Sequence, residues 1–357
     1  MNMQPMQKAL WRRPFFSRKP IGFNILGLGL GLGLALIASS RAEGLDLQKK
    51  LGKCLGDSIP LKVENQSPYV QLTAGSPKKE NQGWFLIDTG ASESYLDLEQ
   101  WRGTVDCDKT HKICHPSVFK FFDLFKKSYF YIQDYSRVSP GLKQAGLLGT
   151  DFLDGYPYTF DYDHQLFYRA QPEQFCTDFE LSQAGLFSVS TAGYFTQDRK
   201  TLRKLDGKLL PNIPTVSVEL AGVAASAQID TGYNDLKWPL SVNMNGAMKK
   251  ALEDAHVELT PVPSRNSKVT TCIPGIRDEL IAYDIPSSAL LTIKSGIHFT
   301  KIHLFLKQHM DSKTRVCGGI STWSTPAVQL GASFIKKAGV MILDAKAEKV
   351  WFPILKD

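Results

Sequence analysis

Short apolar runs recur along the chain, and they predict strands rather than helices. The runs are rich in β-branched and aromatic residues and are bounded by Gly, Pro, Asp or Ser, which is typical of strands and their turns. They are YVQLTA, WFLIDTG, SYFYIQDY, YPYTFDY, TVSVEL, LLTIKSG and IHLFLK. Helical spacing of apolar positions is best developed from Asn245 to Leu259. The chain is therefore predicted to be all-β.

Two apolar strand-like segments end in the same triplet, Asp-Thr-Gly. The residues are Asp88, Thr89 and Gly90, and then Asp230, Thr231 and Gly232. Each triplet presents a carboxylate at a strand end, and the glycine is expected to allow a tight turn that a Cβ would obstruct. One copy alone is ordinary turn chemistry. Two copies indicate a single acid/base centre between two lobes.

A second repeated pattern follows each triplet. Gly146 to Tyr168 and Val328 to Phe352 both contain an apolar pair, a glycine, a Phe, an apolar strand, an aspartate turn and a last aromatic strand. Repetition on this scale indicates duplication of a whole domain, and 357 residues suffice for two. The predicted parts are an export signal or membrane anchor (1–42), an N-terminal lobe (43–181), an inter-lobe connection (182–211) and a C-terminal lobe (212–357).

With these repeats, the chain resembles the aspartic protease superfamily, which includes the pepsins and the dimeric retroviral proteases. The resemblance covers roughly Pro60 to the C-terminus. It implies a two-lobed acid-protease fold with the active site in the inter-lobe cleft. It also implies that Asp88 and Asp230 are the catalytic aspartates. The residues implied as active-site loop support are Thr89, Gly90, Thr231 and Gly232.

The resemblance extends to the later hydrophobic-hydrophobic-Gly segments, which cross beneath the active site in the family. These positions fall on Leu147, Leu148 and Gly149, and on Gln329, Leu330 and Gly331. Ala91 and Ser92 look more retroviral than pepsin-like. Two positions depart from the pattern: Tyr233 stands where the family has a small residue or a hydroxyl, and Gln329 stands where a hydrophobe is expected.

Two such aspartates would form a chemically useful pair. Like charges a few ångströms apart in a dry site raise one pKa strongly, so the pair would share one proton. The ionised carboxylate can then act as general base toward water, while the protonated carboxyl polarises the amide carbonyl and later protonates the leaving nitrogen.

The N-terminus is typical of an export signal. Basic residues precede an apolar, glycine-rich run from Ile21 to Ala38, and small residues follow, with cleavage expected after Ala42. The run also meets the lower length limit for a membrane span, so an uncleaved anchor remains an alternative. The formal net charge of +7 arises largely from six basic residues in this segment. Near-neutrality of the remainder implies no polyanionic partner.

Six cysteines follow the signal, and an even number in an exported chain favours disulfides, with about 15 possible connectivities. Two-lobed symmetry favours Cys272 with Cys317, Cys107 with Cys114, and Cys54 with Cys176. A zinc site built from Cys107, His111, Cys114 and His115 is the weaker alternative, because its spacing fits no common structural site. The region from Val105 to Phe122 falls where the family places its flap, although a stapled surface hairpin is an equally good interpretation.

The function predicted from these features is that of an exported aspartic endopeptidase, periplasmic or secreted. The expected partner is a peptide or protein substrate, with no cofactor, metal or nucleic acid, and the chain is expected to be a monomer. Substrate-binding residues are not predicted. The alternative is a catalytically inactive binding protein or inhibitor with the same fold. A membrane-anchored processing factor is a third hypothesis, and it requires the first 42 residues to be retained.

Overall fold

The structure is a computed structural model that describes residues 45–124, 129–135, 141–153, 155–192, 204–205, 208–209, 213–235, 237–270, 276–293, 296–308 and 319–354. The predicted signal or anchor lies outside these residues, as do Cys272 and Cys317. Within the described ranges, no helix is long and apolar enough to cross a membrane.

Strands dominate the described residues, which confirms the predicted all-β class. The first strands are β1 (Asp57–Glu64), β2 (Ser67–Ser76), β3 (Lys79–Ile87), β4 (Tyr95–Asp97), β5 (Asp106–Asp108), β6 (Ile113–His115), β7 (Val118–Phe121), β8 (Asp123–Leu124), β9 (Phe130–Gln133), β10 (Gln144–Leu148), β11 (Tyr158–Asp161) and β12 (Leu166–Arg169). The later strands are β13 (Leu186–Ala192), β14 (Lys204–Leu205), β15 (Lys208–Leu209), β16 (Thr215–Leu220), β17 (Val223–Asp230), β18 (Ser241–Met244), β19 (Thr260–Pro261), β20 (Ser267–Thr270), β21 (Arg277–Asp284), β22 (Leu291–Ile293), β23 (Ile297–Phe299), β24 (His303–Gln308), β25 (Ala327–Gly331), β26 (Val340–Asp344) and β27 (Lys349–Pro353).

The α-helices are short. They are α1 (Leu47–Leu51), α2 (Thr150–Leu153), α3 (Asp178–Gln183), α4 (Gly246–Asp254) and α5 (Ala332–Ala338). The helix predicted from Asn245 begins as expected, because the Asn245 side chain accepts a hydrogen bond from the Met248 N–H and caps α4. It ends before the predicted Leu259, since His256 adopts a left-handed backbone with φ of 58° that an α-helix does not tolerate.

The two halves of the chain repeat the same strand connections. We call the sheet built from β2 to β10 the first lobe and the sheet built from β16 to β25 the second lobe. In the first lobe, β10 pairs in parallel with β3 and antiparallel with β4. In the second lobe, β25 pairs in parallel with β17 and antiparallel with β18. The duplication inferred from the sequence is therefore present in the strand pairing.

A third, antiparallel sheet contains strands from both halves. Its order is β1, β12, β11, β26, β27 and β13, and each neighbouring pair is antiparallel. The central pair is β11 with β26, so an equivalent hairpin from each half lies on either side of the middle. This shared sheet ties the two halves together and provides the platform on which the lobes are built.

Both ends of the shared sheet continue into a lobe. The second part of β1 pairs with β2, and the last residues of β13 pair with β16. Because β13 falls within the predicted connection from residue 182 to residue 211, that segment contains a strand of the shared sheet. The predicted domain boundaries themselves stay a prediction.

The Cys54–Cys176 disulfide lies within a cluster of apolar residues that packs on the shared sheet. Cys54 is bonded to Cys176, and Cys107 is bonded to Cys114, as predicted. Around Cys176, the buried cluster includes Leu47 of α1, Leu181 of α3 and Trp351 of β27. The Cys54–Cys176 bond therefore links the region of α1 to the segment that follows β12, and both pack against the shared sheet.

We expect loss of the Cys54–Cys176 bond to destabilise the fold more than loss of the Cys107–Cys114 bond. The first bond closes a loop with a sequence separation of 122 residues, and the second closes one of 7. Chain-entropy arguments give roughly 5 and 2.5 kcal/mol for loops of these sizes. The two double Cys→Ala variants can be compared by urea unfolding, and equal losses would contradict the expectation.

Candidate active site

The two Asp-Thr-Gly triplets lie at equivalent strand ends. Asp88 directly follows β3, whose last residues Phe85, Leu86 and Ile87 are buried, and its N–H donates to the Leu148 carbonyl of β10 at 2.9 Å. Asp230 is the last residue of β17, where it is the register partner of Gly331 in β25. The apolar run before each triplet is thus a core strand that delivers a carboxyl group to the edge of its lobe.

The two threonines join the triplets by a reciprocal set of hydrogen bonds. The Thr89 hydroxyl donates to the Ile229 carbonyl at 2.7 Å and accepts from the Thr231 N–H at 3.0 Å. The Thr231 hydroxyl donates to the Ile87 carbonyl at 2.6 Å and accepts from the Thr89 N–H at 3.0 Å. Both threonines are 0% exposed. These four bonds fix one loop relative to the other; the role of the threonines in supporting an active site stays a prediction.

The glycines leave room for the opposite aspartate. A Cβ added at Gly90 would overlap the carboxyl group of Asp230, and one added at Gly232 would overlap that of Asp88. Neither glycine is among the residues with positive φ. Glycine is therefore required here because the opposite carboxyl group approaches closely, and not because of the tight turn that was expected from the sequence.

Asp88 and Asp230 are in hydrogen-bonding contact, and their environment raises the pKa of Asp88 well above its usual value. Burial is the largest cause, followed by the charge of Asp230 and the hydrogen bond to it, while the Gly90 and Gly232 N–H groups oppose the rise. The Asp88 residue nevertheless keeps partial solvent exposure. This pair can hold one proton at a pH where separate aspartates would both be ionised.

The two carboxyl groups differ in the donors that contact them. The Asp88 side chain accepts the Gly90 N–H at 2.8 Å. The Asp230 side chain accepts the N–H groups of Gly232 at 3.0 Å and Tyr233 at 2.8 Å, and its other oxygen accepts the Gln329 amide at 2.5 Å. The duplicated backbone thus carries an unequal pair of acids.

The hydrophobic-hydrophobic-Gly segments support the two loops in the same way. After Gly149, the Thr150 N–H donates to the Ala91 carbonyl at 2.8 Å, and after Gly331 the Ala332 N–H donates to the Tyr233 carbonyl at 2.8 Å. The alignment of these segments inferred from the sequence therefore holds at the level of individual hydrogen bonds, including the position occupied by Gln329.

Several residues near the pair had no role in the sequence interpretation. Tyr95 and Tyr135 lie close enough to Asp88 for its charge to contribute to the rise in their pKa values, after the larger effect of burial. Asn243 of β18 contacts Gln329. Only the departure of Gln329 from the apolar pattern was visible in the sequence, and that departure marks the contact with Asp230.

The cysteine- and histidine-rich segment forms a hairpin rather than a zinc site. Cys107 and Cys114 face each other across β5 and β6 and are disulfide-bonded, so neither presents a thiolate to a metal. Among the described residues, no group of three or more His, Cys, Asp or Glu side chains is arranged to hold a metal. Strand β6 also pairs with β9. The assignment of Val105 to Phe122 as a flap stays a prediction. The Cys272–Cys317 bond also stays a prediction, because both cysteines lie outside the described residues.

Comparisons with known proteins give limited information. No family model matches the chain, and no curated protein matches it. Among solved structures, the chain is similar to the crystal structure of basic 7S globulin from soybean, with 10% sequence identity, 84% of this chain and 94% of that chain covered, and a TM-score of 0.41. At this level the similarity carries no argument about activity, which has to rest on the site itself.

Replacing Thr89 by Val should cost more stability than removing another buried hydroxyl. The change leaves the Ile229 carbonyl and the Thr231 N–H without their partners. With about 1–3 kcal/mol for each of these two buried unsatisfied groups, we expect a loss of roughly 2–6 kcal/mol in the free energy of unfolding. Thr215→Val is the matched control, since that buried hydroxyl donates only one local bond, to Ile213. Equal losses in the two variants would contradict the bridging role.

Replacing Asp88 by Asn should make stability less dependent on pH. The raised pKa means that the folded state holds its proton more tightly than the unfolded chain, so wild-type stability falls as pH rises from about 4 through the folded-state pKa. The variant lacks this loss, and its melting temperature should exceed that of wild type increasingly toward neutral pH. Asp254→Asn, at the exposed end of α4, controls for the substitution itself. A difference that does not change with pH would contradict this expectation.

Proposed function

We propose that this protein is an exported aspartic endopeptidase, a member of the aspartic protease superfamily, with Asp88 and Asp230 as its catalytic pair. The observation that carries the proposal is the contact between two carboxyl groups at symmetry-equivalent loop tips, one of which has a strongly raised pKa. An ordinary structural aspartate gains nothing from a second acid at contact distance. A hydrolase that must act as base and acid in one cycle does.

In the proposed reaction the pair moves protons in two steps. The ionised carboxylate accepts a proton from water while the water oxygen bonds to the peptide carbonyl carbon, and the protonated carboxyl donates its proton to the carbonyl oxygen. The tetrahedral intermediate, which carries two hydroxyls, then collapses: the nitrogen takes a proton from the protonated carboxyl, one hydroxyl returns its proton to the ionised carboxylate, and the C–N bond breaks as the C=O bond re-forms. The products are a carboxylic acid and an amine, and the pair again holds one proton.

The surrounding hydrogen bonds support this chemistry by fixing geometry in advance. The Thr89 and Thr231 bridges fix the two loops relative to each other without occupying the carboxyl groups. Positions held before substrate binds reduce the entropic cost of reaching the transition state. The partial exposure of Asp88 leaves the pair open to a reactant.

An oxidising compartment fits the same proposal. The Cys54–Cys176 and Cys107–Cys114 disulfides are typical of exported proteins, and the sequence of the first 42 residues is typical of an export signal. The proposed substrate is therefore a peptide or protein outside the cytoplasm. A monomeric state belongs to the same proposal.

Cleavage assays on variants test the proposal directly. We expect wild-type protein to cleave an unfolded protein substrate at acidic pH, and Asp88→Asn and Asp230→Asn each to lower the rate by on the order of 10³-fold or more, because one carboxyl cannot supply both roles. Asp254→Asn, at the exposed end of α4, should cleave at nearly the wild-type rate.

The pH profile provides a second check on the same assay. Activity should fall at high pH, when both carboxyl groups ionise, and at low pH, when both are protonated, and the two limits belong to the pair. If wild-type protein cleaves no unfolded substrate between about pH 3 and 7 but binds a specific protein partner, the endopeptidase proposal fails. The protein would then be a binding protein with a protease-like site.

A further inference from the structure

The second lobe has an amide where the first lobe has a hydrocarbon. In the first lobe Leu147 is the register partner of Leu86 and of Tyr95. In the second lobe the same position is Gln329, which is the register partner of Gln228 and of Asn243. The pair Tyr95–Leu147 is therefore replaced by the polar pair Asn243–Gln329, next to Asp230.

A continuous chain of hydrogen bonds runs through this polar pair. The Tyr233 hydroxyl contacts the Ser241 hydroxyl at 2.8 Å and donates to Asn243 Oδ1 at 3.2 Å. Asn243 Nδ2 donates to Gln329 Oε1 at 3.0 Å, and Gln329 Nε2 donates to Asp230 Oδ2 at 2.5 Å. Ser241 is 2% exposed and Asn243 is 3% exposed, so water competes little for these groups.

The donor-to-acceptor direction of these hydrogen bonds is consistent with an ionised Asp230 as the last acceptor. From Tyr233 onward, each group donates to the next and the last donor meets a carboxyl oxygen. An ionised carboxylate only accepts hydrogen bonds. A protonated Asp230 that donated to Gln329 would require both amides to turn over and the tyrosine hydroxyl to reverse. Charge-assisted bonds are also about twice as strong as neutral ones, which favours the ionised state.

The backbone adds to this asymmetry. Asp230 Oδ1 accepts the N–H groups of both Gly232 and Tyr233, while the Asp88 side chain accepts that of Gly90, and a hydrogen bond with the Gly232 N–H also lowers the pKa of Asp88. Three protein N–H groups therefore stabilise negative charge on Asp230. No amide side chain stands in the equivalent place beside Asp88, where Leu147 lies.

Other titratable groups near the pair do not offset this difference. Asp88 is faced by Tyr95 and Tyr135, and Glu93 acts on Tyr95. Asp230 is faced by Tyr233, on which Asp235 also acts. Burial raises the pKa of all three tyrosines, so their hydroxyls stay neutral where the aspartates titrate. Beyond the two aspartates, the groups that set the balance are thus the donors around each carboxyl group.

We propose that Gln329 is a positioning residue that keeps Asp230 ionised and leaves the single proton of the pair on Asp88. This inference rests on the proposed function for its consequence in catalysis: Asp230 is the general base toward water and Asp88 the general acid toward the carbonyl. Tyr233 and Asn243 orient the amide. Gln329 in β25, which stands where a hydrophobe is expected, is thereby the feature that gives two otherwise equivalent acids different roles.

The first test compares pH profiles. Gln329→Leu gives the second lobe the residue of the first, and Gln329→Met is a second apolar variant of similar length in case the first does not fold. In both variants we expect the acidic limb of the kcat/KM profile to move upward by about one pH unit or more, because the ionised form loses a donor. At the pH optimum, KM should change by a smaller factor than the one that corresponds to the shift of the acidic limb.

A matched control separates this effect from general damage. Gln144 is a buried amide in β10 that hydrogen-bonds to the Gly146 carbonyl and to Tyr69, not to either aspartate. Gln144→Leu should lower stability and leave the acidic limb in place. An acidic limb that stays at the wild-type position in Gln329→Leu and Gln329→Met overturns the proposal, as does an equal shift in Gln144→Leu.

A second readout needs no turnover, so it distinguishes failure of this inference from failure of the proposed function. With Asp88→Asn as background, Asp230 is the one acid of the pair that titrates, and its carboxyl carbon can be followed by NMR with ¹³C-labelled aspartate. Adding Gln329→Leu should move its midpoint upward by about one pH unit or more. An unmoved midpoint overturns the proposal whether or not the wild-type protein cleaves peptides. A moved midpoint in a protein without cleavage activity would sustain the inference and leave only the endopeptidase proposal refuted.

Discussion

The bridge between Thr89 and Thr231 is the interaction on which the site depends. Two carboxyl groups that repel each other when ionised are not held together by their own attraction, so another set of bonds has to fix their separation. The threonine hydroxyls fix it, because each donates a hydrogen bond to the backbone carbonyl of the residue that directly precedes the other aspartate, at Ile229 and Ile87. Both threonines are fully buried. The shared six-stranded sheet and the parallel pairs β3–β10 and β17–β25 provide the rigid base for that bridge.

Much of this arrangement could be predicted from the sequence because it is repeated. A triplet that ends an apolar strand is weak evidence on its own. The second copy and the repeated segments Gly146 to Tyr168 and Val328 to Phe352 predicted equivalent strands, and the strand pairing agrees. The disulfides Cys54–Cys176 and Cys107–Cys114 could be predicted from cysteine number and lobe symmetry. Such features depend on local sequence patterns, on their repetition and on the number of cysteines, and all of these can be read from a single sequence.

Other features depend on what meets in space, and the sequence could not show them. The glycines of the triplets were expected for a turn, whereas they are needed because the opposite carboxyl group lies against them. The predicted helix from Asn245 continued too far, because the periodicity of its apolar residues does not reveal the left-handed turn at His256. Gln329 was visible only as an exception to a pattern; its meaning depends on Asp230, 99 positions earlier in the chain.

We propose that the two triplets form one acid/base centre that holds a single proton. The most direct measurement is a neutron diffraction structure of the deuterated protein at mildly acidic pH, in which the hydrogen isotopes on carboxyl groups are seen individually. We expect Asp88 and Asp230 to remain in contact and to carry one deuterium between them. Carboxyl groups more than about 6 Å apart, or both without a deuterium at that pH, would contradict it.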